Sequence, residues 1–171
     1  MNTSKHNQRK SLVRGAVLLA IAICFQGLRL IFPLPPLAGM FIIGSLVNMT
    51  LVIAVRSAGL MPTLLISFLL PIVAFFQGQL AVPVFIPVVA LGNMVFVFVC
   101  QQFWQNKLLW LAPVFKTAIL YVGTLSVLSC FAIPEKVAQL LLSMMSWPQI
   151  VTGIIGLVLA RQVLKKLAWF E

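Results

Sequence analysis

Six apolar stretches dominate this sequence, at about 12–32, 38–55, 59–76, 83–102, 108–131 and 148–167. Each is long enough to cross the roughly 30 Å hydrocarbon core of a bilayer. With no water in that core, every backbone N–H and C=O must be satisfied within its own segment, so runs of this length fold as helices. Composition agrees. The chain is 62% hydrophobic and 8% charged, with a mean hydropathy of +1.13, whereas a soluble domain carries roughly 25% charged residues. Too little polar material exists to cover a compact sphere, so most of the surface must face lipid. The expected fold is an all-α membrane protein: a bundle of six transmembrane helices in one integral domain spanning residues 1–171.

The breaks between stretches are turn-like. Pro33-Leu34-Pro35-Pro36 closes the first helix, because successive prolines cannot continue the hydrogen-bond ladder. Arg56-Ser57 parts the second from the third, Gln77-Gly78-Gln79 with Pro83 the third from the fourth, and Gln101 to Lys107 the fourth from the fifth. Pro71, Pro87 and Pro113 fall inside apolar runs and are expected to kink helices, which membrane bundles tolerate. The segment from Pro134 to Ser146 spaces Val137, Leu140, Leu141 and Met144 at helical intervals, the pattern of a short amphipathic helix on the outer surface, either a lipid-facing connector or a cover for a binding site.

Charge supplies the orientation. With the amino terminus inside, the cytoplasmic segments hold Lys5, Arg9, Lys10, Arg14, Arg56, Lys107, Arg161, Lys165 and Lys166, and the outer segments Lys136 alone. Arg29 and Lys116 lie within helices and complete the 12 basic residues. Such asymmetry over short loops is a strong positive-inside signal, so both termini are expected in the cytoplasm, with residues 1–11 as a basic tail. The net charge of +10 is not gathered on one face, as nucleic-acid binding would need. The run from about Leu12 to Phe32 is too long for a signal peptide and no small-residue cleavage site follows it, so it reads as a first helix that stays. Trp104, Trp110, Trp147 and Trp169 fall near the ends of runs, where tryptophan anchors a helix at the interface.

The residues that carry chemistry are few. The only acids are Glu135 and Glu171, and the only histidine is His6 in the basic tail. Membrane proteases, phosphatases and transferases need acids, histidines or paired nucleophiles beside the bilayer, and none can be assembled. No metal set exists, there is no Gly-rich phosphate loop for ATP, and no cofactor is implied. Cys24, Cys100 and Cys130 sit inside apolar runs and read as small hydrophobes.

What remains is a set of polar side chains at membrane depth, which are expensive in hydrocarbon and usually face the bundle interior. Gln26 and Arg29 share a face of the first helix, Ser45 and Asn48 of the second. Asn93 sits near the middle of the fourth. Thr117, Tyr121 and Thr124 form a stripe on the fifth beside Lys116, and Gln149 and Thr152 lie together at the start of the last. Residues of this kind commonly hydrogen-bond between helices, and they can equally line one cavity open to the outside. With no acid among them, a cationic substrate would find no counter-charge, and a neutral or anionic organic substrate is expected. In the first helix Ala16-x-x-x-Ala20 places two small residues on one face, which permits another helix to approach closely.

The sequence resembles the substrate-binding S components of energy-coupling factor (ECF) type ABC vitamin transporters. The features are six helices in 171 residues, Ala16-x-x-x-Ala20, and a closing helix reading Gln149-Ile150-Val151-Thr152-Gly153-Ile154-Ile155-Gly156, followed by Arg161 and Lys165-Lys166. Gly44-Ser45-Leu46-Val47-Asn48 and Ile86-Pro87-Val88-Val89-Ala90-Leu91-Gly92-Asn93 are similar to segments of its uncharacterised members. The resemblance implies a non-enzymatic subunit of the bacterial cytoplasmic membrane that binds a vitamin or related micronutrient between the outer halves of its helices. Loops around Pro33–Leu37 and Gln77–Pro83 would gate that pocket, adding Gln77 and Gln79 to Gln26, Arg29, Asn48, Asn93, Lys116, Tyr121, Gln149 and Thr152 as candidate substrate contacts. Ala16 and Ala20 would dock on a transmembrane scaffold subunit that is itself coupled to two ATPases. A structural membrane scaffold, resembling an MreD-like cell-shape protein, is the rival reading; it would have partners and no ligand pocket.

Overall fold

The computed structural model describes residues 2–32, 35–80 and 82–167. Its elements are α1 (Asn2–Ile31), α2 (Pro36–Ser57), α3 (Leu60–Phe76), α4 (Phe85–Gln102), a 3-10 turn (Lys107–Leu111), α5 (Ala112–Cys130), α6 (Glu135–Met144) and α7 (Trp147–Leu167). No strand occurs among the described residues. Five helical segments are long and apolar enough to cross a membrane: 6–31, 37–57, 85–102, 107–130 and the one that ends in α7. The remaining apolar helix, α3, has 17 residues, or about 25 Å at 1.5 Å per residue. Trp169 and Glu171 lie outside the described residues, as do Pro33 and Leu34 of the first connection and Ala81 of the third.

Two local expectations change. The basic segment before residue 12 is helical, a continuation of α1 back to Asn2, because no proline or glycine interrupts the chain before Gly15. The 30 residues of α1 therefore run about 45 Å, well beyond a bilayer's apolar core. Two of the three prolines sit where a helix accepts them without a kink. Pro113 is in the first turn of α5 and Pro87 in that of α4, where an N–H has no carbonyl to meet in any case. Only Pro71 lies in a helix interior.

The bundle is organised around α2, which packs against α1, α3, α4 and α7. Its buried Leu51, Val52, Ala54 and Val55 meet Ile66 and Leu70 of α3, Phe96 and Val97 of α4, and Leu157 and Ala160 of α7. The approach of α7 to α2 depends on a missing side chain. A Cβ on Gly156 would stand 2.6 Å from the Asn48 Cβ and 2.9 Å from the Met49 backbone nitrogen. Outside, the pattern of a soluble protein is reversed. Met61, Leu65, Phe76, Val122 and Leu125 are exposed, while Asn48, Thr63, Ser67, Asn93, Lys116, Thr124 and Thr152 are buried. Apolar surface turned outward with polar groups inside is the distribution a lipid solvent selects.

Candidate functional site

The polar groups buried by this arrangement are not scattered through the core. Gln26, Asn48, Asn93 and Lys116 converge on one cavity of about 470 Å³, within the size range of small-molecule sites. Along α2 its wall runs from Gly39 to Asn48, about 14 Å of helix axis. It therefore reaches inward from the end of the bundle where α1 and α3 finish and α2, α4 and α7 begin. The lining is largely apolar, including Met40, Ile43, Val47, Leu70 and Val89, and α6 covers part of it with Val137, Leu140, Leu141 and Met144.

Lys116 is the deep cation. It stands in the second turn of α5, 4% exposed, and its Nζ donates to Asn48 Oδ1 at 2.6 Å. The same ammonium lies 5.3 Å from the centre of the Phe96 ring, within cation–π range. Asn48 Nδ2 in turn donates to Thr152 Oγ1 at 3.3 Å, and the Thr152 hydroxyl donates to the Gln149 carbonyl at 3.2 Å. Each link fixes the one before it. Because Thr152 gives its proton to a carbonyl, it accepts from the Asn48 amide, and Asn48 is left presenting oxygen to Lys116. The contact of Gly156 with the Asn48 Cβ brings Thr152 within reach.

The shallow end is built from α1 and the end of α3. Gln26, 7% exposed, donates from Nε2 to the Leu70 carbonyl at 3.3 Å, while its Oε1 is buried without a partner among the described residues. Gln79 donates from Nε2 to the Gln26 carbonyl at 2.7 Å and to Gln77 Oε1 at 2.8 Å. Gln79 is aimed there by the way α3 ends. Gly78 adopts φ +69°, its N–H bonds to the Phe75 carbonyl at 3.0 Å, and the Gln79 N–H bonds to the Ala74 carbonyl at 2.9 Å. This is the paired-bond helix stop that a left-handed glycine allows.

Seven of the ten candidate substrate contacts line the cavity: Gln26, Arg29, Asn48, Gln79, Asn93, Lys116 and Gln149. The other three do not. Tyr121 is 41% exposed on the outer face of α5, although Thr117 and Thr124 of the same stripe are buried; a four-residue step is 40° past one turn, enough to leave the bundle's interior face. Thr152 stands behind Asn48 as its support, and Gln77 holds the Gln79 amide. Asn93 is 4% exposed and takes part in none of the side-chain hydrogen bonds found among the described residues. Of the two sequence readings of the 134–146 helix, a lipid-facing connector and a cover for a binding site, its place on the cavity lining fits the second; the supporting role of Gly156 was not among the sequence expectations for the site.

Ala16 and Ala20 lie away from the cavity on α1, both exposed, with the neighbouring Gly15 buried against Pro62. At the opposite end of the bundle from the cavity mouth, Arg56 and Arg161 stack on Trp104 at 5.1 and 5.5 Å, and Arg161 reaches Trp110 at 5.4 Å. Trp147 packs on Phe41 at 5.9 Å. All three cysteines are free. No group of residues able to hold a metal ion occurs among the described residues. No family model matches the chain, and no curated protein or solved structure matches it either.

Proposed function

We propose that this chain is the substrate-binding S component of an ECF-type ABC importer in the bacterial cytoplasmic membrane, taking up a vitamin or related neutral or anionic organic micronutrient. The observation that carries the reading is the cavity: about 470 Å³, lined by polar groups from α1, α2, α4, α5 and α7 in an otherwise apolar bundle. A scaffold that only contacts other proteins has no need to bury an ammonium and three amides around a cavity, since each costs free energy unless it is satisfied. In this reading both termini are cytoplasmic, the cavity opens outward, and the chain binds without catalysing. Energy comes from two ATPases through a transmembrane scaffold subunit, which approaches the exposed face holding Ala16 and Ala20.

The test is direct. The full chain is expressed in bacteria, purified in detergent, denatured, and the released small molecules identified by mass spectrometry. A stoichiometric organic compound whose addition raises the thermal stability of the emptied protein is the expected result. Absence of any retained or stabilising compound favours the structural-scaffold reading.

A further inference from the structure

The charge inventory of the cavity is unbalanced in a way that bears on its ligand. Nothing from Met1 to Pro134 is acidic, so α1 to α5 contain no carboxylate at all. Of the two acids in the chain, Glu135 is exposed at the start of α6, where its carboxylate accepts from Gln139 at 3.2 Å, and Glu171 is the last residue. Lys116 is nevertheless buried, and among the described residues its one hydrogen-bond acceptor is a neutral amide oxygen. Amide and ring offset part of the cost of desolvating an ammonium, but neither carries the opposite charge that a buried cation ordinarily pairs with.

The hydrogen-bond chain behind Asn48 shows that this amide is held to face Lys116, not drawn there for want of other partners. An ammonium has three donors. One is taken by Asn48 Oδ1 and one side of the group lies over Phe96, while Lys116 also lines the cavity. The Asn93 amide lines the same cavity from α4. A cation with a free donor and an uncommitted amide on one cavity lining suit the two oxygens of a carboxylate. Above them the wall is apolar, at Ile43, Val47 and Val89.

We infer that, granted the binding role proposed above, the ligand is an organic anion whose carboxylate enters first and meets Lys116 with Asn93, and whose body is apolar. The ligand supplies the counter-charge that α1 to α5 lack. The same chemistry could come from a water-soluble carboxylate or from an acidic lipid of the surrounding bilayer, and the experiment separates the two.

Full-length protein and two variants are purified in the same detergent. Lys116→Met removes the charge at similar length. Asn48→Asp keeps the shape and puts a carboxylate beside Lys116, so the counter-charge becomes internal. Denatured samples are partitioned into aqueous and lipid phases, and the retained compound is identified in each. The emptied proteins are then titrated with matched acid and amide or alcohol pairs: nicotinate and nicotinamide, pantothenate and pantothenol, biotin and biotinol. The expected result is a retained carboxylate in the wild type, preference for the acid member of any pair that binds, and a loss of affinity of about 30-fold or more in both variants, the scale of a charge-assisted hydrogen bond. Emptied Asn48→Asp should also melt higher than emptied wild type. If Lys116→Met does not fold, Asn48→Asp decides alone. A carboxylate in the lipid phase keeps the assignment to Lys116 and removes the nutrient. A neutral retained compound, or a carboxylate held equally well by Asn48→Asp, overturns the inference and leaves the binding function standing. No retained compound, with no member of the panel stabilising the wild type, overturns both.

Discussion

A buried hydroxyl without a partner lowers stability by roughly the cost of desolvating it, on the order of 1–3 kcal/mol. Thr124 is such a group: 0% exposed in α5, with Oγ1 unpaired among the described residues and outside the cavity. Valine has nearly the same shape and no hydroxyl. Thr124→Val is therefore expected to stabilise the protein by about 1 kcal/mol, seen as a higher melting temperature in detergent, with ligand binding unaltered. A lower melting temperature would mean that the hydroxyl has a partner in the assembled protein. Gln26 also holds an unpaired buried oxygen among the described residues, but the residue lines the cavity and Thr124 does not. In sequence both are polar residues at membrane depth. The proposed roles of Lys116 and Asn48 likewise depend on a facing side chain 68 positions away in the chain, which no local pattern contains.

At the scale of helices, small residues decide which surfaces meet. Gly156 faces backbone and Cβ atoms of α2, and neither can swing aside as the end of a long side chain would. Gly156→Ala must push α7 away from α2, with an expected cost of about 1–3 kcal/mol for overpacking. Thr152 moves with α7, so Asn48 loses its support and ligand affinity falls further than the stability loss accounts for. A variant that melts lower yet binds normally would show that the Asn48–Thr152 contact does not matter to the site. Ala16 and Ala20 give the opposite case, since both are exposed and touch no part of the cavity. Replacing both by leucine adds bulk where a partner helix would approach and leaves side chains that are comfortable in lipid. Binding by the isolated chain should be preserved, while co-purification with the ECF scaffold subunit and cellular uptake should fall sharply. Normal assembly and uptake would remove the docking role from this face.

For the whole molecule the testable quantity is orientation. Nine basic residues (Lys5, Arg9, Lys10, Arg14, Arg56, Lys107, Arg161, Lys165 and Lys166) belong to the end where α2 meets α3, α4 meets α5 and α7 finishes. Arg14 donates to the Ser57 carbonyl at 3.2 Å, and Ser11 donates to the Ala58 carbonyl, which pins the first third of α1 to that end. The cavity reaches in from the other. If the basic end is cytoplasmic, a reporter active only outside the cell is silent when fused after Glu171 and active when inserted beside Lys136. The reverse result would turn the cavity toward the cytoplasm and end the case for an importer's outward-facing site.

Hydropathy alone determined that the chain is a bundle of apolar helices, and roughly where each begins and ends, because crossing a bilayer is a local demand that each segment meets from its own residues. Charge alone proposed the orientation for the same reason: it is a sum over loops. The polar residues at depth could also be listed from sequence, and most of those chosen as substrate contacts stand on one cavity. Tertiary structure decided the rest. It turned Tyr121 outward, set Thr152 behind Asn48 instead of beside a ligand, drew α6 over the opening, and carried α1 back through the basic segment. The rotation of a helix about its axis is fixed by the surface of its neighbours, through contacts such as Gly156 on Asn48 and Gly153 on Pro113. Those neighbours are tens of residues distant in the chain, so their effect on a side chain's direction is absent from any stretch read in isolation.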